Sequence, residues 1–67
     1  MGYNDFFKHQ YKVTRLSDSD HEITSEVVTG SRAAIRKQEE FEVQGFRVVI
    51  LNMTKGVEEY RTPRVKV

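Results

Sequence analysis

Residues 46–53 constrain the chain more than any other stretch. Phe46, Val48 and Ile50 alternate with Val49, Leu51 and Met53, and β-branched and aromatic side chains of this kind suit a pleated, extended backbone. Successive residues of a strand point to opposite faces, so this strand is apolar on both. A strand of that composition belongs at the centre of a sheet with cover on each side. A chain of 67 residues has few elements with which to provide it.

One element of cover lies just upstream. Ser31 suits an N-cap, since its hydroxyl can accept from a free N–H of the first helical turn, and Thr29 is a rival cap. Ala33 and Ala34 favour helix and no breaker follows until Gly45, which suits the left-handed position past a helix end. The pattern predicts a helix over 32–44. Ala34, Ile35, Gln38 and Phe41 form a narrow stripe continued by Gly45, while Ala33 and Val43 fall outside it. This is a helix laid down on one face only.

The charges of this helix run against its dipole. Arg32, Arg36 and Lys37 fill the first half and Glu39, Glu40 and Glu42 the second, at a cost of roughly 0.3–1 kcal/mol per terminal charge. Pairs of Arg36 with Glu39 or Glu40 recover only about 0.2–0.5 kcal/mol each. Two readings follow: a solvated face, or a set of bases (Arg32, Arg36, Lys37) that contacts an anionic partner near the helix start.

The remaining chain reads as strands and turns. Residues 1–7 form an aromatic arm with Tyr3, Phe6 and Phe7, either folded on the core edge or exchanged with a partner chain. Residues 8–16 read as a first strand, with Tyr11 and Val13 on one face and Lys12 and Thr14 on the other. The polar run 17–21 is a loop, and 22–29 is a second strand of edge character. After the central strand, Gly56 supplies positive φ for a turn, and 57–62 is a fourth strand carrying Val57 and Tyr60. Pro63 ends regular pairing, and 63–67 is a basic tail with Arg64 and Lys66.

The expected fold is therefore α+β: one small domain over 1–67, ordered β-β-α-β-β, with one helix on a four-stranded, mainly antiparallel sheet. A right-handed crossover with all neighbours antiparallel gives the strand order 2-1-3-4. The expected core is Val13, Ala34, Ile35, Phe41, Phe46, Val48 and Ile50.

Composition narrows the function classes. The net charge is +1, with acids and bases interspersed, which argues against a strongly basic nucleic-acid binder. Cysteine is absent, so disulfides and thiolate metal sites are excluded, as suits a cytoplasmic protein. No apolar run reaches the ~20 residues of a membrane span, and the N-terminus lacks a signal-peptide core.

No chemistry is spelled out in the side chains. Asp18, Asp20, His21 and Glu22 resemble the opening of a calcium loop but lack its glycine and distal glutamate, so they read as a solvated turn. His9 and His21 are too few for a zinc site. There is no phosphate loop, dinucleotide fingerprint or nucleophile elbow, and Glu39, Glu40 and Glu42 do not converge as an acid–base pair. The expectation is no enzyme, no cofactor and no metal. A strand-helix-strand unit in a tiny charged chain resembles small accessory or regulatory proteins of phages and mobile elements in style, with no motif that carries a function over.

The expected function is a non-catalytic protein-interaction module acting as a homodimer or higher oligomer. Val49, Leu51 and Met53, with Phe6 and Phe7, are the interface candidates. Arg32, Arg36, Lys37, Arg61, Arg64 and Lys66 are the candidates for contact with a further partner, a protein ahead of a nucleic acid. The alternative is a nucleic-acid-binding domain that uses the sheet face, its bases, and Tyr11 and Tyr60 as stacking platforms.

Overall fold

The computed structural model describes residues 9–63. Strands β1 (Gln10–Leu16) and β2 (Glu22–Thr29) form a hairpin, helix α1 (Ser31–Val43) crosses over, and β3 (Arg47–Asn52) and β4 (Val57–Arg61) form a second hairpin. The sheet order is β2-β1-β3-β4, with every neighbouring pair antiparallel, as the pattern predicts. The arm 1–7, with Phe6 and Phe7, and the tail residues Arg64 and Lys66 lie outside the described residues.

Register explains which side chains meet. Tyr11 and Val13 of β1 stand opposite Asn52 and Ile50 of β3, and all four are buried beneath the helix. Val48 joins them, and Ala34 and Phe41 press down from α1 to complete the core. Phe46 lies just ahead of β3 and packs against this cluster only in part.

Ile35 departs from the expected core. It is 49 % exposed, because the helix is rolled so that Ala34 and Phe41 aim at the sheet. The helix lies over β1 and β3 and leans toward β2, leaving β4 largely uncovered. Ile35 therefore overhangs the gap on the β4 side instead of entering the core.

The helix start also differs. Gly30, at φ 92°, is the N-cap, and no side chain caps the first turn. Ser31 is already helical, so its hydroxyl cannot serve as the cap. Gly30 is held from outside the helix, donating its N–H to the carbonyl of His9 at 2.9 Å. At the other end Gly45, at φ 96°, turns the chain toward β3, and its N–H reaches the carbonyl of Glu42 at 3.0 Å.

Two bulges interrupt the ladders. One shifts the β1–β2 register between Arg15 and Leu16, and the other shifts β3–β4 between Ile50 and Leu51. At the second, Ile50 pairs with Tyr60 and Leu51 with Glu58, so Glu59 is the extra residue.

Candidate functional site

The sheet has one covered face and one open face. On the open face stand Lys12, Thr14 and Leu16 of β1, Ser25 and Val27 of β2, Val49 and Leu51 of β3 and Arg61 of β4, by the pleat and the register. Among the described residues no element lies over them. Thr14 and Leu16 are buried, Val49 and Leu51 are half-buried, and Val27 is 55 % exposed. Met53 follows Leu51 into the turn and is also exposed.

The covered side carries a groove between α1 and β4. It arises because the helix leans the other way. A hydrogen-bonded cluster divides it: the Glu42 carboxylate accepts from the Tyr60 hydroxyl at 2.6 Å, from the Thr62 hydroxyl, and from the Gln38 amide at 3.1 Å. Burial pushes the Glu42 carboxyl up, but the three donors outweigh it and hold the group below the usual carboxylate range. The same Glu42 bond, with burial, raises the Tyr60 hydroxyl above its ordinary value.

Toward the helix C-terminus the groove widens to about 640 Å³ beside Phe46, Arg47 and Pro63. Arg47 is tied down there, donating to the Thr62 carbonyl at 2.9 Å and pairing with Asp20. Arg15 stacks its guanidinium over Phe46 and Phe41, 4.5 and 5.2 Å from the ring centres. Toward the helix N-terminus lies a cleft of about 320 Å³ floored by Ile50 and Tyr11, with Ala34, Ile35 and Gln38 on the helix side and Glu59 and Tyr60 on the strand side.

That cleft is backed by a buried polar network. Asn52, fully buried, donates from its side-chain amide to Glu59 Oε2 at 2.9 Å and lies 3.0 Å from His9 Nδ1. Its carbonyl oxygen accepts from the Lys55 N–H at 3.0 Å. Tyr11 is 2 % exposed, and its hydroxyl has no hydrogen-bond partner among the described residues. Burial, and then the nearby Glu59 charge, push that hydroxyl up.

The chain matches no protein-family model, no curated protein and no solved structure.

The candidate partner-contact bases are distributed unevenly. Lys37 is engaged within the molecule, 3.0 Å from Glu40 and 3.4 Å from Glu26. The expected pairs of Arg36 with Glu39 or Glu40 do not form, since Lys37 takes Glu40. Arg61 forms a two-pronged contact with Glu58 at 3.0 and 3.1 Å. Arg32 and Arg36 are exposed. Of the described bases, Arg32, Arg36 and Lys37 lie on the helix and Arg61 on β4.

The expected stacking platforms for nucleic acid are not on the open face. Tyr11 is in the core, and Tyr60 faces the helix side and is bound to Glu42. Both stand at positions whose register partners, Asn52 and Ile50, point beneath the helix. Sequence reasoning missed the groove, the polar network and the role of Glu59. The bulge that aims Glu59 has no signature in the run of Glu58 and Glu59.

Among the described residues no three His, Cys, Asp or Glu side chains gather as a metal site, and no helix is long and apolar enough to cross a membrane.

Proposed function

We propose that this chain is a non-catalytic interaction module that pairs with a second copy of itself through the open face of its sheet. The observation that carries the reading is that Val27, Val49 and Leu51 place apolar side chains on a face that no described element covers. Exposed apolar patches of this kind mark contact surfaces. A two-fold axis makes one such face self-complementary, with the two sheets stacked about 10 Å apart. By register Lys12 stands between Val27 and Leu51, and Arg61 stands beside Val49, so both charges lie within the face and would set the register of the pairing more than its strength.

Sedimentation equilibrium at micromolar concentration tests this. The expected mass is twice the 7.9 kDa of the chain, and Leu51→Glu is expected to return it to 7.9 kDa. A parent chain that sediments as a monomer overturns the reading. A monomer that also binds oligonucleotides with a steep salt dependence would favour the nucleic-acid alternative, even without its tyrosine platforms.

A further inference from the structure

The cleft at the N-terminal end of the groove has features that the fold alone does not require. A regular strand alternates its side chains, so Glu59 and Tyr60 would face opposite ways. The bulge opposite Ile50 and Leu51 places both on the groove side, and bulges re-aim side chains in this way beside functional sites. Asn52, buried without exposure, grips one oxygen of Glu59 and leaves the other free.

The polar residues that line the cleft, Tyr11, Ser31, Gln38, Glu59 and Tyr60, all carry an oxygen able to accept, and none is cationic. Glu59 Oε1 has no partner within the described chain. The Tyr11 hydroxyl is buried and unpaired, an arrangement that costs free energy unless something fills it. Gln38 gives its amide nitrogen to Glu42, which leaves its carbonyl oxygen. No Lys or Arg of the described chain lines the cleft, while Ile35 and Ile50 form its apolar walls and the Tyr60 ring borders it.

We propose that this cleft binds the side chain of a lysine from a protein partner. An ammonium group carries donors and no acceptor, which suits a cleft lined by Glu59, Gln38 and Tyr11 and by no described Lys or Arg. The lysine stem is four methylenes long and lies against apolar surface while its head is bonded, which suits the Ile35 and Ile50 walls. An aromatic border adds attraction for the cation. The half-exposed Ile35, left outside the core, becomes the lip over which the stem enters. The site lies on the side of the sheet opposite the self-association face, so neither reading depends on the other.

The test titrates the full chain, with its isoleucine methyl groups observed by NMR, against three probes. These are an end-blocked Gly-Lys-Gly peptide, the same peptide with norleucine in place of lysine, and free n-butylammonium. The lysine peptide is expected to shift the Ile35 and Ile50 methyls saturably. The norleucine peptide is expected to bind at least about tenfold more weakly, as is the lysine peptide to Glu59→Gln, with Glu58→Gln unchanged. Tyr11→Phe gives a second signature. It removes the unpaired hydroxyl, so it is expected to raise the melting temperature of the free protein while weakening the lysine peptide.

Several results would overturn the proposal: no saturable shift with the lysine peptide, equal binding of the norleucine peptide, or unchanged affinity in Glu59→Gln. A lower melting temperature for Tyr11→Phe would show that the hydroxyl is already partnered. Butylammonium binding as tightly as the peptide would assign the cleft to a free amine instead of a protein lysine.

Discussion

The Tyr60 hydroxyl lies 2.6 Å from the Glu42 carboxylate and donates to it, joining the last turn of α1 to the outer strand β4. Thr62 and Gln38 donate to the same carboxylate. This cluster bridges helix and β4 across a groove where the two otherwise barely touch. Hydrogen bonds to a charged group contribute about 1.5–3 kcal/mol when partly shielded from water. Glu42→Gln is expected to lose an amount in that range at neutral pH, measured by urea denaturation.

The two partners of that bond make stability fall at both ends of the pH scale. The folded pKa of Glu42 lies below its ordinary value, so its contribution is present above the ordinary carboxylate range and is lost as pH falls through the lowered value. The folded pKa of Tyr60 lies above the ordinary 10.0, so its contribution is present below that value and is lost as pH rises past the raised one. The deficit of Glu42→Gln relative to the parent is therefore expected to shrink in acid. Denaturation midpoints measured across the pH range check this, and a deficit that stays constant in acid would contradict it.

Phe41 and Ile35 separate core from lip. Phe41→Ala is expected to cost about 3–5 kcal/mol, a large part of what a domain of this size possesses. Ile35→Ala is expected to cost about 1 kcal/mol, because half of that side chain is already in water. Equal losses in thermal denaturation would mean that Ile35 is packed like Phe41.

The first turn of α1 has no acidic residue and no side-chain cap. Arg32→Glu is expected to stabilise the chain by about 0.3–1 kcal/mol through the helix dipole. Ser31→Ala is expected to stay within about 0.5 kcal/mol of the parent, since the hydroxyl caps nothing. A loss of a kcal/mol or more from Ser31→Ala would restore the serine as a cap.

Gly45 sits at φ 96° with open space where a Cβ would stand. Gly45→Ala is expected to cost about 1–2 kcal/mol from backbone strain alone, and Gly45→Asn less. Calorimetry that finds Gly45→Ala neutral would show that the turn relaxes.

The order of elements was legible because the apolar period changes along the chain. Tyr11 with Val13, and Val48 with Ile50, alternate as strand faces do, while Ala34 and Phe41 recur at helical spacing between Gly30 and Gly45. The roll of the helix was not legible. Ile35 and Ala34 are neighbours on one apolar stripe, and only packing decides which of them the sheet receives. Phe46 was misjudged for a related reason: Arg15 stacks over its ring and holds it at the core's rim. The Glu59 bulge and the fit of Asn52 between His9 and Glu59 depend on contacts between distant parts of the chain, which local patterns do not carry.

The strand order β2-β1-β3-β4 also shapes how the molecule assembles. Each outer strand pairs with its neighbour in sequence, so both hairpins close over short loops. Among the strand pairings, the seam between β1 and β3 is the one that joins the two hairpins, bringing Val13 to Ile50 with α1 held inside the closing loop. Loop closure of that kind costs entropy before any contact repays it. Pairing at the seam is therefore expected to limit the folding rate: substitutions at Val13 or Ile50 are expected to slow folding, and those confined to β2 or β4 to act mainly by hastening unfolding, as stopped-flow refolding and unfolding rates would check.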